Sequence, residues 1–376
     1  MTDMSQHESD ALKSYAEASG FRLGWAKFRR HKLAVVSLYI VGFLYFLAIF
    51  AEFMSPYDHS EINRRHVLTP PQAIHFVDTD GSLALPYVRA LKGERDPVTR
   101  RLSYVEDDTT KYPLRFFAPS EPYEMWGVIP LETRFIGIAK PDRKATLFLF
   151  GTDSLGRDVL SRIINGARVS LSIGLVGVAF SFVIGIVLGG MSGYYGGWID
   201  TAVQRTIDFL QSLPTIPLWM GLAAAVPPGQ DPLVTYLMIT VILSIIGWTG
   251  IARVVRGRFL ALREEDFVLA ARFSGASEMR IILRHMVPSF ASHIIASLSL
   301  SIPEMILAET ALSFLGLGLQ SPAVSWGVLL KDAQSLQAIS QSPWLLIPGL
   351  AVVVTVLAFN FLGDGLRDAS DPYGKT

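Results

Sequence analysis

Six runs of mostly apolar residues, each long enough to cross about 30 Å of hydrocarbon as a helix of roughly 20 residues, constrain this chain more than anything else in it. They fall at 33–53, 170–191, 202–226, 234–252, 294–317 and 344–362, the third being the weakest. In lipid the backbone must satisfy its own hydrogen bonds, so runs of this length become helices that bury their polar faces against one another. The expected fold is an all-α polytopic membrane protein with six transmembrane helices. A first apolar run of this length, placed after 32 other residues, reads as a span rather than as the apolar core of a cleaved leader.

Lys and Arg in short loops set orientation. The N-terminal tail carries Lys13, Arg22, Lys27, Arg29, Arg30 and Lys32. The segment after the fourth run carries Arg253, Arg256, Arg258, Arg263, Arg272, Arg280 and Arg284, whereas the loop between the fifth and sixth runs carries only Lys331. Both termini and the segment 264–290 are therefore expected on the cytoplasmic side. The domain reading is a cytoplasmic tail at 1–32, a first transmembrane helix at 33–53, an extracytoplasmic insert at 54–168, a five-helix core at 169–364 that includes 264–290, and a cytoplasmic C-terminal tail at 365–376. The insert is rich in Pro, aromatics and both charge signs; "TLFLF" at 146–150 is its clearest strand-like run, and its fold is left unassigned. No internal repeat stands out.

Two runs carry residues that lipid does not tolerate cheaply. The third holds Arg205 and Asp208 near one end and Pro214 and Pro217 within it. Proline removes a backbone donor and kinks a helix, and such breaks survive where protein or a water-filled cavity satisfies the freed carbonyls. A path-lining helix and a merely kinked structural helix fit this pattern equally. The fifth run holds Glu304 and Glu309. Intramembrane carboxylates face a bundle interior, where they touch a substrate or bond to neighbouring helices; the second reading is favoured, because nothing else suggests proton coupling. The "GLGLQ" that follows reads as a turn.

The chemistry of an enzyme is missing. The chain has no Cys, which excludes disulfides and thiolate ligands. Lys+Arg and Asp+Glu number 33 each, so net charge points to no nucleic acid. The C-terminal "DPYGKT" imitates the end of a phosphate loop, but Ala369 stands where that loop needs its first Gly. The seven His are scattered, and the spacing of His59, His66 and His75 matches no zinc pattern. No catalytic residue and no metal site are expected.

The most patterned polar stretch is "EEDFVLAARFSGASEMRIILRHMVPSF", 264–290. It reads as two short helices. The first, 267–273, carries Ala270 and Ala271; Gly275 follows, where an unusual backbone angle is cheap. The second, 277–286, places Met279, Ile282 and Met286 at helical spacing, with Arg280 and Arg284 on another side. Ser277 is placed to cap this helix and Pro288 to end it. Periodicity alone fits equally a stub seated in a groove of a cytoplasmic partner and a helix lying on lipid headgroups.

The order Ala270-Ala271, Gly275 and Pro288 resembles the "EAA…G…P" coupling motif of permease subunits in ABC importers, and it stands between the fourth and fifth of six spans as it does there. It departs at one point, Leu269 for the motif's Glu. The stretches 150–175 ("FGTDSLGRDVLSRIINGARVSLSIGL"), 309–330 ("ETALSFLGLGLQSPAVSWGVLL") and 357–372 ("LAFNFLGDGLRDASDP") are similar to the dipeptide/oligopeptide/nickel branch of this family. The likeness covers about 150–372 and the first span; the insert at 54–149 is longer than most members carry, and no role transfers to it.

The resemblance implies a multi-pass protein of the bacterial inner membrane that forms a translocation path with a second permease subunit, as a rule a non-identical one. It implies two cytoplasmic ATPases, which bind the ATP, docked on Ala270, Ala271, Gly275, Ser277, Arg280 and Pro288. An extracytoplasmic solute-binding protein delivers the solute. Pro214, Pro217, Glu304 and Glu309 are the candidates for the path. Short peptides are the expected cargo, with oligosaccharides or nickel as further members' cargo; lipid is the remaining partner. A secondary transporter would show paired repeats or a clearer ion site. A membrane-anchored enzyme built on the insert would leave five further spans unexplained.

Overall fold

A computed structural model describes residues 20–78, 81–95, 97, 102–139, 145–227 and 229–370. Lys13 of the N-terminal tail and the Gly-Lys-Thr at the C-terminal end lie outside the described residues. The described residues open with α1 (Gly20–Arg30) and α2 (Lys32–Ile49), followed by one short turn, α3 (Ala51–Met54). Four strands come next: β1 (His75–Val77), β2 (Leu83–Arg95), β3 (Leu102–Met125) and β4 (Ile129–Ile138). Helices follow as far as Ser370: α4 (Val159–Tyr195), α5 (Gly197–Ser212), α6 (Thr215–Ala224), α7 (Pro232–Leu262) and α8 (Asp266–Phe273). The stub α9 is built from Glu278–Arg280, a π turn over Ile281–Met286, and Val287–Ser289. The last helices are α10 (Ala291–Phe314), α11 (Trp326–Lys331), α12 (Leu336–Gln341) and α13 (Ile347–Ser370).

Five of the six expected spans are helices long and apolar enough to cross a membrane: those at Lys32–Ile49, Val159–Tyr195, Pro232–Leu262, Ile294–Phe314 and Pro343–Ala369. The third is not one helix but two, α5 and α6. Leu213 is extended (ψ 139°), as a residue ahead of proline prefers, and Pro214 is extended too (ψ 122°). Pro217 then sits in the first turn of α6, where its missing N–H would have had no intrahelical partner. The two prolines end one helix and start the next rather than bend a single one.

The chain is not all-α. The insert carries a four-stranded antiparallel meander in the order β1-β2-β3-β4. It has its own small core of Val88, Ala90, Tyr112, Ile138 and Leu147. The stretch 146–150 is not one of its strands. Instead Leu147 donates its amide to Tyr57 Oη at 2.8 Å, and Phe148 exchanges bonds with Gln72, its amide reaching Oε1 at 2.6 Å. In the described part of the N-terminal tail, α1 tucks Phe28 beneath Gly365 of α13 and against Ala34 of α2.

The bundle is organised around α4, which packs along α7 on one side and α2, α10 and α11 on others. Where α4 meets α7, Gly185, Gly189 and Gly193 recur every fourth residue and let the two backbones close. A Cβ on Gly189 would stand 2.4 Å from the carbonyl oxygen of Ala252, and one on Gly193 2.6 Å from Phe259 Cβ. Small residues at this spacing are the usual means of close packing in a membrane, where no hydrophobic drive brings helices together. The sheet lies at the end where α4 begins; α8 and α9 lie at the end where it finishes.

Asp158 caps α4: its Oδ2 accepts from the amide of Ser161 at 2.8 Å and from its hydroxyl at 2.6 Å. Burial pushes its carboxyl up to about 7, against the lowering effect of those bonds. The folded chain thus holds this proton to a higher pH than the unfolded chain does, and stability must fall as pH rises from about 4 to about 7. Asp158→Asn keeps a capping side chain and removes that slope: melting curves across this range should flatten, and parallel profiles would overturn the assignment. Separately, Gly189→Val should cost about 1–3 kcal/mol by forcing α4 from α7, read as a lower thermal midpoint in detergent; an unchanged midpoint would mean the helices can part freely.

Candidate functional site

The segment 264–290 is held on one face and bare on the other. α8 ends in a Schellman turn: Gly275 N–H donates to Arg272 O at 3.0 Å, and Ala276 N–H to Ala271 O at 3.1 Å. Gly275 has φ +74°, a left-handed conformation that a residue with a Cβ resists. Val268, Ile281, Ile282, Met286 and Phe290 are buried, packed on Ile251, Val255 and Phe259 of α7 and on Tyr194 at the end of α4. Phe259 and Phe290 meet edge to face at 5.8 Å. Two polar ties add to this. Arg272 lies 5.6 Å over the Tyr194 ring and donates to its hydroxyl at 3.2 Å, and Tyr195 donates its hydroxyl to Glu278 at 2.7 Å.

The opposite face is open and partly apolar. Phe273 is 88% exposed and Met279 64%. Phe267 and Leu283 are exposed as well, with Ala270, Gly275, Ser277, Arg280 and Pro288 beside them and Ala271 half-buried. Three expectations change. Met279 is exposed whereas Ile282 and Met286, within a π turn in which Val287 N–H reaches back five residues to Ile282 O, are buried, so the three do not share one face. Ser277 occupies the capping position without a capping bond from its side chain. Pro288 does not end the stub, which runs on to Ser289 and turns at Phe290.

The same end of the bundle is tied by charge. Asp200 of α5 receives Arg256 of α7 in two bonds, Nε to Oδ1 at 2.5 Å and a terminal nitrogen to Oδ2 at 2.6 Å, and accepts from Ser192 Oγ of α4 at 2.5 Å. A paired guanidinium–carboxylate fork fixes orientation as well as distance. One helical turn or so away, Arg253 and Asp208 pair at 2.8 Å in a more exposed setting.

The two carboxylates of α10 part company. Glu309 is fully enclosed. Its Oε1 accepts from Ser325 Oγ at 2.6 Å and Ser313 Oγ at 2.8 Å, and its Oε2 from Ser170 Oγ at 3.4 Å. Each serine in turn accepts a backbone amide: Ser325 from Val328, Ser313 from Leu319, Ser170 from Trp326. One carboxylate so gathers α4, α10, the turn after α10 and the start of α11. Glu304, by contrast, lies on an exposed face of α10. Pro214 and Pro217 stand at the α5–α6 break. Near the sheet end of α7, a cavity of about 610 Å³ is lined by Ala223, Pro227, Gln230, Ile239, Gln320 and Pro322 among others.

The three insert histidines are engaged apart from one another. His75 pairs with Glu106 at 2.8 Å, His66 lies 3.1 Å from Asn63 Oδ1, and His59 sits 3.7 Å from Asp58. Among the described residues, no three His, Asp or Glu side chains converge as metal ligands would. The sequence reading missed the Asp200–Arg256 fork, which has no local signature, and the glycine stripe, which does: the four-residue spacing at 185, 189 and 193 is plain in the sequence.

The described residues thus form a bundle of apolar helices with a patterned stub clamped against one end of it. The sequence profile described as "binding-protein-dependent transport system inner membrane component" matches residues 185–373, and that of the "N-terminal TM domain of oligopeptide transport permease C" matches residues 19–71. The dipeptide transport system permease protein DppC of Bacillus subtilis (strain 168) is 42% identical over 225 residues, 59% of this chain and 68% of that protein. The oligopeptide transport system permease protein OppC of the same organism is 30% identical over 347 residues, 92% of this chain and 87% of that one. A solved chain of the MetNI methionine ABC transporter, inward-facing, overlaps at 18% identity and a TM-score of 0.44, covering 56% of this chain and 97% of its own. The chain belongs to the family of binding-protein-dependent transport system inner membrane components.

The Glu309 network predicts a contrast. Glu309→Gln keeps an acceptor for the serine hydroxyls, whereas Glu309→Leu strands them in an apolar interior at about 1–3 kcal/mol for each unsatisfied group. The leucine variant should melt several degrees below the glutamine variant in detergent; equal midpoints would show that the network carries no stability.

Proposed function

We propose that the chain is the permease subunit of an ATP-driven importer and forms part of the translocation path for short peptides. Family membership and the names borne by its relatives support the class and the cargo. The observation that carries the mechanism is the two-faced segment 264–290. One face is clamped to α7 and to Tyr194; the other offers Phe273, Ala270 and Met279 to a partner. In this reading two cytoplasmic ATPases, which bind the ATP, seat that face in a groove, and the chain itself needs no catalytic site. A second permease subunit completes the path and an outer solute-binding protein delivers the solute.

ATP shifts the equilibrium between inward and outward access only by binding the two states of the ATPases unequally. The clamp would pass that difference on, since the stub cannot move without α7 and the end of α4. In this reading there are six crossings, with α5 and α6 together making the third, which keeps both termini and the stub on one side and the sheet on the other; the Lys and Arg of the tail and stub make the first side the cytoplasm. The exposed Glu304 and the α5–α6 break would face the path or the second permease subunit, because neither a carboxylate nor freed carbonyls can face lipid.

Gly275→Pro, which cannot adopt φ +74°, and Phe273→Glu, which alters only an exposed side chain, should each abolish stimulation of ATPase activity by loaded binding protein. Both subunits should still reach the membrane fraction. Normal stimulation in both variants would refute the docking role.

A further inference from the structure

The turn joining β3 to β4 combines an apolar tip with a bond to a membrane-spanning helix. Met125 pairs with Ile129 across a loop of Trp126, Gly127 and Val128. Val128 is 77% exposed, with Trp126 and Ile129 exposed beside it. Trp126 donates its indole N–H to the carbonyl of Ile49, the last residue of α2, at 2.6 Å, and its ring lies 5.8 Å from that of Phe50.

The contacts fix which way the hairpin points. Arg134, well up β4, donates to the carbonyls of Glu52, Ser55 and Tyr57. Phe135 and Phe117 meet Phe53 at 6.2 and 6.0 Å. Trp126, at the tip, reaches Ile49 and Phe50. Moving from base to tip along the hairpin is therefore moving down the chain toward α2, and the tip is the part nearest the bilayer.

Its depth follows from α2. That helix has 18 residues, about 27 Å at 1.5 Å each, so its whole length is needed to cross some 30 Å of hydrocarbon. Ile49 must stand at the boundary. The charged pair at the same level agrees: Arg168 binds Glu52 in two bonds, at 2.5 and 2.6 Å, and donates to the carbonyls of Ala48 and Ile49. Trp126 thus sits where the indole's apolar ring and polar N–H are both satisfied. Val128 and Ile129 stand beside it, Val128 largely uncovered and Ile129 partly so. Phe117 and Trp126 also hold left-handed backbones, φ +54° and +56°, which costs energy for residues with a Cβ, and both are turned onto α2 and α3.

We propose that the β3–β4 tip is a lipid anchor: Trp126, Val128 and Ile129 enter the headgroup–acyl boundary beside α2 and pin the sheet to the membrane surface. This rests on α2 crossing the bilayer and not on which side the sheet occupies, nor on the cargo or the ATPases. The chain has no native Cys, so single nitroxide labels can be placed cleanly. The full chain, purified with the subunits that accompany it, would be reconstituted in phosphatidylethanolamine–phosphatidylglycerol bilayers. Labels at Val128→Cys, at Leu83→Cys on exposed β2 and at Val36→Cys on the open face of α2 would be compared by their collision rates with oxygen and with a water-soluble nickel chelate. The oxygen-to-nickel ratio at Val128→Cys should exceed that at Leu83→Cys several-fold and approach that at Val36→Cys. A ratio equal to that at Leu83→Cys places the tip in water and overturns the proposal. Exclusion of both agents places it under protein, against another subunit, and overturns it as well.

Discussion

The close approach of α4 and α7 is the contact on which the remaining architecture depends. Glycine at 185, 189 and 193 lets backbone meet backbone, so the two longest helices behave as one body over much of their length. At one end of that body Tyr194, Val255 and Phe259 form the seat for α8 and α9. Asp200 brings α5 into the same assembly through Arg256 and Ser192. The seat of the stub is therefore a paired helix unit rather than a single rod.

Polar chemistry inside the bundle is divided between tying and exposing. Glu309 accepts the hydroxyls of three serines that themselves hold the amides at the start of α11 and in the turn after α10. It thereby replaces backbone partners that an irregular segment would lack. Glu304, five residues earlier, points elsewhere and remains open. Two identical side chains on one helix thus have different fates because five residues is an angular step of well over a hundred degrees in the helical repeat.

The spans were legible because a hydrocarbon slab imposes one strong, length-dependent signal, and five of them appear close to where hydropathy places them. The prolines of the third run were legible as a break, though not as the start of a second helix; that outcome depends on Pro217 falling in a first turn. The turn at Gly275 was readable from residue type alone. The sheet was not. β3 carries Pro113, Pro119 and Pro122 along with Glu106, Asp107 and Asp108, and only one face of the meander needs apolar residues, so alternation is diluted below notice. The burial of Phe28 was equally hidden, because it depends on Gly365, more than three hundred residues away in the chain.

Arg134 has a mechanical corollary. By holding the carbonyls of Glu52, Ser55 and Tyr57 at once, its guanidinium rivets the sheet to the segment that continues α2. The sheet therefore inherits whatever inclination α2 adopts. An 18-residue helix is barely as long as an ordinary hydrocarbon core is thick, so it stands near upright there and gains room to lean only where the bilayer is thinner. A thinner membrane would swing the sheet through the same arc, magnified at its far rim.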